Sequence, residues 1–329
     1  MNERNLGRRA LLKGVAMTGA AAAVATVLPA GTASARTYPS GVRQVPGIGT
    51  VIDTSHATPG VSRVLSAYFQ AKTGKQPEAT MAQIDRAQMN YLDAVTGEIW
   101  PSWQALHDLF AKNMPKWPAD GKSYATRIVG DDRGAIVYFS NTPGLFAPGE
   151  IRATGVVNLR AGKITRWVDY WDGRHVGIDY VRGEREPFPA DFKENTVGDT
   201  AAPAMQRAIT RLAGALATGA STQPLFAEDA VFEDLPAHLH LVGPAAITRF
   251  LTAAHDLLPY TGPGTTIRHT LGGPQGGGYE WTSRGPVPHG VTALELDPRG
   301  LITRATTTWD GSFTDDATLA ALAQKAVEH

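Results

Sequence analysis

The chain has 329 residues, 43% hydrophobic and 19% charged, with a formal net charge of +0. That is enough apolar material for a sizeable core, and at about 100 to 200 residues per domain it predicts two domains. The balanced charge gives no electrostatic reason to expect a nucleic-acid partner, and a cysteine count of 0 excludes disulfides, thiolate nucleophiles, thiolate zinc sites and a lipidated N-terminal cysteine.

In chain order, Arg8 and Arg9 come first, followed by Leu11, Leu12, Lys13 and a Gly/Ala/Val-rich run over 14–30. Ala33-Ser34-Ala35 then forms a small-residue cleavage pattern. This predicts a signal peptide over 1–35 that is read by the twin-arginine export machinery, with the mature protein secreted or held in the cell envelope. Thr18, Thr26 and Pro29 interrupt the run, which falls short of the ~20 strongly apolar residues of a stable membrane anchor.

The mature chain shows the same order of elements twice. An amphipathic helix over 61–73 leads to a short strand ending Tyr91-Leu92-Asp93. A helix capped by Ser102 follows, with Trp103, Leu106, Phe110 and Met114 on one face. Strands over 134–139 and 151–159 precede Lys163-Ile164-Thr165-Arg166-Trp167-Val168-Asp169-Tyr170-Trp171-Asp172-Gly173. After a charged linker over 179–202, a helix over 203–217 leads to Phe232-Glu233-Asp234, then to a helix opened by Pro244, and then to strands over 278–282 and 290–296. The series closes on Leu301-Ile302-Thr303-Arg304-Ala305-Thr306-Thr307-Thr308-Trp309-Asp310-Gly311, which shares Ile-Thr-Arg and Trp-Asp-Gly with the first closing strand. This predicts an internal repeat with modules at 60–178 and 203–315. Helices first and then an antiparallel run predict an α+β fold: in each module a curved, mostly antiparallel sheet with helices packed on its concave face, and a pocket between.

Alternation along the first closing strand places Trp167, Asp169 and Trp171 on one face. A carboxyl between two indoles is poorly solvated, which raises its pKa toward the range useful for proton transfer. Asp169 is therefore the first candidate for a general acid or base, the alternative being a structural pair with an arginine. Tyr91 and Asp93 share a strand face and can meet Asp169, with Tyr91 donating to developing oxyanion charge. For Asp93 and Asp234 the alternative is satisfying turn amides at a strand end. His107 reads as a core or rim residue. Glu233, His238 and His240 lack a third ligand at fixed spacing, so no metal is expected, and no cofactor is called for.

The element order, together with Gly162-x-Ile164-Thr165-x-Trp167-x-Asp169-Tyr170-x-Asp172, resembles the nuclear transport factor 2-like superfamily. Its members include SnoaL-like polyketide cyclases, ketosteroid isomerases, limonene epoxide hydrolases and scytalone dehydratase. In the first module Asp169 stands where the epoxide hydrolases have a catalytic aspartate, and Tyr91-x-Asp93 where they have Tyr-x-Asn. Tyr138-Phe139-Ser140 stands in place of their Arg-x-Asp pair. In the second module 226–234 is similar to the isomerase strand bearing the general base, here Asp234, while Thr292 and Thr210 or Arg211 replace the oxyanion acid and tyrosine. The resemblance implies a pocket walled by Trp167, Trp171, Tyr138, Phe232 and Trp309, with His175 at its mouth. It implies proton transfer beside the carbonyl of a small apolar cyclic or polyketide-like molecule, by an isomerase, cyclase or dehydratase. The alternatives are an exported binding protein for a small hydrophobic ligand, and a scaffold; the two modules are expected to pair internally as a pseudo-dimer.

Overall fold

Two runs of alternating, β-rich sequence form two separate mixed sheets in the computed structural model, which describes residues 42–44, 51–186, 194 and 199–327. The signal expected over 1–35 lies outside these residues. The first part contains β1 (Val42–Gln44), β2 (Val51–Ala57), α1 (Pro59–Thr73), α2 (Pro77–Met81), β3 (Asn90–Asp93), β4 (Ile99–Trp100), α3 (Trp103–Asn113), β5 (Ser123–Gly130), β6 (Gly134–Asn141), β7 (Ile151–Arg160), β8 (Lys163–Trp171) and α4 (Ile178–Glu184). The second contains α5 (Pro203–Thr218), β9 (Phe226–Asp234), β10 (Leu239–Val242), α6 (Pro244–Ala253), β11 (Thr266–Gly272), β12 (Gly276–Thr282), β13 (His289–Leu296), β14 (Ile302–Trp309) and α7 (Asp316–Val327).

The first sheet runs β1-β2-β5-β6-β7-β8-β3-β4 and the second β10-β9-β14-β13-β12-β11. Read from the other edge, the second has the order of β5 to β4 in the first. β3 joins β8 and β9 joins β14 in parallel, whereas the hairpin-linked neighbours are antiparallel. The fold is therefore α+β, as expected. The first sheet also extends before residue 60, where β2 pairs in parallel with β5.

Local chemistry sets the helices. Thr58 caps α1 ahead of Pro59, and Ser102 accepts from the Ala105 amide at 3.1 Å to start α3. Gly219, at φ 70°, ends α5 in the left-handed conformation that glycine adopts without strain. The inner stripes of α1 and α3 pack on one face of the first sheet around Leu65, Tyr68, Leu106, Phe110 and Trp167; α5 and α6 pack likewise around Ile209, Phe250, Trp281 and Trp309.

The opposite faces of the two sheets meet each other. Val156, Val168 and Tyr170 of the first bury against Leu271, Val291 and Ala293 of the second. Polar bonds cross this layer: Thr154 to Thr308 at 2.8 Å, Asn158 to His269 at 3.0 Å, and Tyr170 to Glu280 at 2.8 Å. Glu280, fully buried, also takes Arg166 at 2.8 Å and Arg268 at 3.3 Å. Burial works to raise its pKa, but the two guanidinium groups outweigh it and hold the carboxyl down at about 2. The stretch expected as a linker takes part in this packing: Glu194 binds both Arg166 and Arg268, and Arg185 binds Asp310 at 2.6 Å. For Arg185 and Glu194 the charge serves ion pairing within the packed layer, which a single sequence does not distinguish from solvation.

Candidate active site

The site begins with strand alternation on β8. Trp167, Asp169 and Trp171 face the helices, while Val168 and Tyr170 face the second sheet. The parallel register of β3 on β8 sets Tyr91 beside Trp167 and Asp93 beside Asp169. Neighbouring strands lie about 4.8 Å apart, so both carboxyls come to one face, under α1 and α3. There Lys72, Tyr91, Asp93, Glu98, Phe110, Phe146, Asp169 and Trp171 contribute to the wall of a cavity of about 790 Å³ of empty space, part of it open to solvent.

Asp169 is 7% exposed. Its Oδ2 accepts from the Tyr91 hydroxyl at 2.5 Å and its Oδ1 from the Trp167 indole at 2.5 Å. Burial and the negative charge of Asp93 push its carboxyl up to about 7, against the hydrogen bond from Tyr91, the charge of Lys72 and the hydrogen bond from Trp167. Trp167, expected in the pocket wall, lies in the core beside Asp169 and not on the lining of this cavity. Its ring stacks on Tyr91 with centroids 5.9 Å apart, and a Cβ on Gly155 would come within 2.9 Å of the indole. Glycine at 155 thus leaves the room that the indole occupies.

Asp93 reaches the same cavity but is engaged otherwise. Trp171 donates to its two oxygens at 3.1 and 3.0 Å, and the Val95 and Thr96 amides donate to Oδ1 at 2.8 and 3.0 Å. It closes the turn after β3, the alternative the sequence had left open. Burial still raises its carboxyl. Glu98 nearby is raised to about 7 by burial and by the charges of Asp93 and Glu184.

Lys72 was not anticipated. It is 1% exposed at the C-terminal end of α1, and its ammonium lies 4.8 Å from the Phe146 ring centroid, 5.5 Å from Phe139 and 5.6 Å from Tyr68. Phe69 and Phe110 complete the surround at 5.9 Å each. Burial lowers its pKa to about 8, with the charge of Asp169 opposing the fall. Among the described residues no hydrogen bond holds Nζ and no carboxylate lies within 4.0 Å. The signal was in the sequence: Val61, Leu65, Tyr68, Phe69 and Lys72 form one stripe at helical spacing, so the lysine had to lie on the packed face.

Other expected residues lie elsewhere. Tyr138 is on the far face of β6, packed between the sheets with the Arg127 guanidinium 4.0 Å from its ring; its neighbour Phe139 is the one that faces the helices. A one-residue step along a strand exchanges the faces. His175 lies beside His238, rings 5.8 Å apart, and does not line this cavity. His175, His238 and Asp172 bring ligand atoms within 4.8 Å of one another, but the Arg174 guanidinium occupies both Asp172 oxygens. Glu233 pairs with Arg127 and Arg304, and His240 stands 3.6 Å from it.

Phe232, Asp234 and Trp309 belong to the core of the second sheet, not to this cavity. Asp234 is sealed: Tyr260 donates at 2.8 Å, Trp309 at 3.1 and 3.3 Å, and the Ala237 amide at 3.0 Å. Burial carries its carboxyl up to about 6 against those bonds. Asp234 and Trp309 match Asp93 and Trp171 in register, whereas Asp169 is matched by Thr307. Counted from the opening prolines, Lys72 is matched by Leu216. The tryptophan–aspartate strap is common to both sheets, and Lys72 with Asp169 is particular to the first.

No family model matches the chain, and no curated protein matches it. Among solved structures it is similar to a putative ketosteroid isomerase from Kribbella flavida (16% identity, 43% of this chain and 92% of that one, TM-score 0.30). It is also similar to a steroid delta-isomerase from Pseudomonas aeruginosa (16% identity, 39% and 93%, TM-score 0.31). A third is a putative polyketide cyclase from Sinorhizobium meliloti (15% identity, 34% and 99%, TM-score 0.29). At these scores the likeness carries no argument about chemistry.

Proposed function

We propose that the chain is an enzyme that moves a proton beside the carbonyl group of a small, largely apolar cyclic or polyketide-like compound bound in the first cavity, as an isomerase, cyclase or dehydratase does. The observation that carries this reading is the state of Asp169: a carboxyl at the cavity wall, buried against Trp167 and Tyr91, with its pKa pushed up to about 7. A carboxyl titrating near neutrality serves as base in one half of the reaction and as acid in the other. The Tyr91 hydroxyl is committed to Asp169 and steadies the carboxylate each time it forms. Lys72 lies on the wall of the same cavity, where burial leaves charge interactions little screened.

The test is exchange of α-protons of cyclohexanone into deuterated water, followed by NMR with wild type and with Asp169→Asn. The reading expects catalysed exchange that Asp169→Asn reduces by two orders of magnitude or more, on the scale of about 10²- to 10⁴-fold typical of acid–base catalysis. Unchanged exchange in the variant refutes it, and ketone bound by wild type without exchange favours a binding protein. The proposal includes export on Arg8 and Arg9; replacing both by lysine should leave the chain in the cytoplasm on fractionation. It also includes internal pairing of the two modules, supported by the Arg166–Glu280 and Thr154–Thr308 contacts, and so a monomer by light scattering.

A further inference from the structure

We propose that Lys72 is the carbonyl-capturing nucleophile of this site, forming an imine with an aldehyde or ketone held in the cavity, while Asp169 transfers the protons. The inference rests on the proton-transfer reading above and names the group that activates its substrate.

The geometry comes first. Nζ of Lys72 sits at the cavity wall, ringed by Phe146, Phe139, Tyr68, Phe69 and Phe110, and the described residues hold it by no hydrogen bond. The ring faces answer part of an ammonium's charge there, but burial outweighs them and favours the neutral form more than water does. A neutral amine gives up far less, and its lone pair is free to attack. The charge that acts on it is that of Asp169, more than 4.0 Å from Nζ and on the wall of the same cavity.

The proton inventory fits the reaction. Burial lowers the pKa of Lys72 and raises that of Asp169, and both changes ease the shift of one proton from ammonium to carboxylate. That shift yields the amine and carboxylic acid that imine formation needs. The Nζ lone pair bonds to the carbonyl carbon, and one N–H proton passes to the oxygen to give a carbinolamine. Asp169 then protonates the hydroxyl, the C–O bond breaks and water leaves, so that a protonated imine faces a carboxylate. The cation is now on the substrate, still among five rings whose faces attract positive charge. Asp169 next removes a proton from the adjacent carbon, and the C–H electrons flow into the iminium to give a neutral enamine. Reprotonation at carbon and attack by water reverse the sequence and release the product carbonyl. The iminium thus replaces the oxyanion donor that Tyr91, tied to Asp169, does not supply. The second sheet has Leu216 and Thr307 in the matching places and lacks both groups.

The experiment is reductive trapping on the full chain. Protein is incubated near pH 7.5 with cyclohexanone, and separately with benzaldehyde, in the presence of sodium cyanoborohydride; labelled lysines are then mapped by peptide mass spectrometry. The expected result is one adduct per chain on Lys72, at least about tenfold above any other lysine because ordinary lysines hold their protons to about 10.4, and loss of that adduct in Lys72→Met and Lys72→Arg. Labelling confined to surface lysines with both probes, Lys72 unmodified, overturns the proposal. The deuterium-exchange assay on the same samples separates the two readings. Exchange that needs Asp169 but survives Lys72→Met refutes the imine and leaves the acid–base role standing, whereas exchange indifferent to Asp169 refutes the underlying reading. Near-UV circular dichroism confirms that each variant keeps its packed aromatic core.

Discussion

Replacing Lys72 by Met tests whether this residue is kept for chemistry or for the fold. Met has a similar length and fills an aromatic niche without a charge. The fall of the Lys72 pKa from the ordinary 10.5 to about 8 corresponds to about 3 kcal/mol by which the folded state disfavours the ammonium. The unfolded lysine keeps its proton up to pH 10.5, whereas the folded one releases it near 8. The penalty is therefore fully present below pH 8 and relieved as the pH rises from 8 to 10.5. Lys72→Met should raise stability by up to about 3 kcal/mol at neutral pH, and the gain should shrink above pH 8 as wild type catches up. Loss of the Lys72 charge should also push the Asp169 carboxyl higher still, because that charge now lowers it. The measurement is urea unfolding followed by tryptophan fluorescence, wild type against variant, from pH 6 to 10. A variant less stable than wild type at neutral pH, with a difference independent of pH, would show that the ammonium is structurally satisfied and would sink the reasoning.

Four further outcomes follow from the same contacts. The rate of α-proton exchange should climb with pH up to about 7, because the base form of Asp169 is the ionised one and its carboxyl titrates at about 7; a midpoint near 4 in the pH–rate profile would contradict this. Gly155→Ala drives a methyl to 2.9 Å from Trp167, so it should cost about 1 to 3 kcal/mol by overpacking and lower activity by displacing the indole that donates to Asp169, both read in one denaturation and exchange series. Glu280→Leu removes the carboxylate that Arg166, Arg268 and Tyr170 share between the sheets, and calorimetry should show a loss of about 3 to 5 kcal/mol, since buried partners are left uncompensated. Asp234 is raised from 3.8 to about 6, so its ionisation costs about 3 kcal/mol that is absent below pH 3.8 and fully present above 6. Asp234→Asn should accordingly be most destabilising at acid pH and milder above 6, as unfolding curves at the two ends will show.

Local signals wrote much of this fold into the chain. Ser102 and the prolines at 59, 203 and 244 begin helices where capping chemistry requires, and strict alternation along Trp167, Asp169 and Trp171 fixed which face of β8 meets the helices. Those are short-range consequences of backbone geometry, so a single sequence carries them. Alternation also determined that Tyr91 and Asp93 lie on one side of β3, though not what they touch.

The tertiary structure decided the rest. Tyr91, Asp93 and Asp169 meet only because β3 lies parallel beside β8 in one register, a long-range pairing that leaves no periodic mark. The phase of β6 sent Tyr138 to the layer between the sheets and Phe139 to the helices, and long-range packing brought Tyr260 and Trp309 to donate to Asp234. Lys72 falls between the two cases. Helical spacing placed it on the packed stripe of α1 beside Tyr68 and Phe69, but only the convergence of Phe110, Phe139, Phe146 and Asp169 from distant parts of the chain completed its environment, because a pKa is determined by everything that surrounds a group in space.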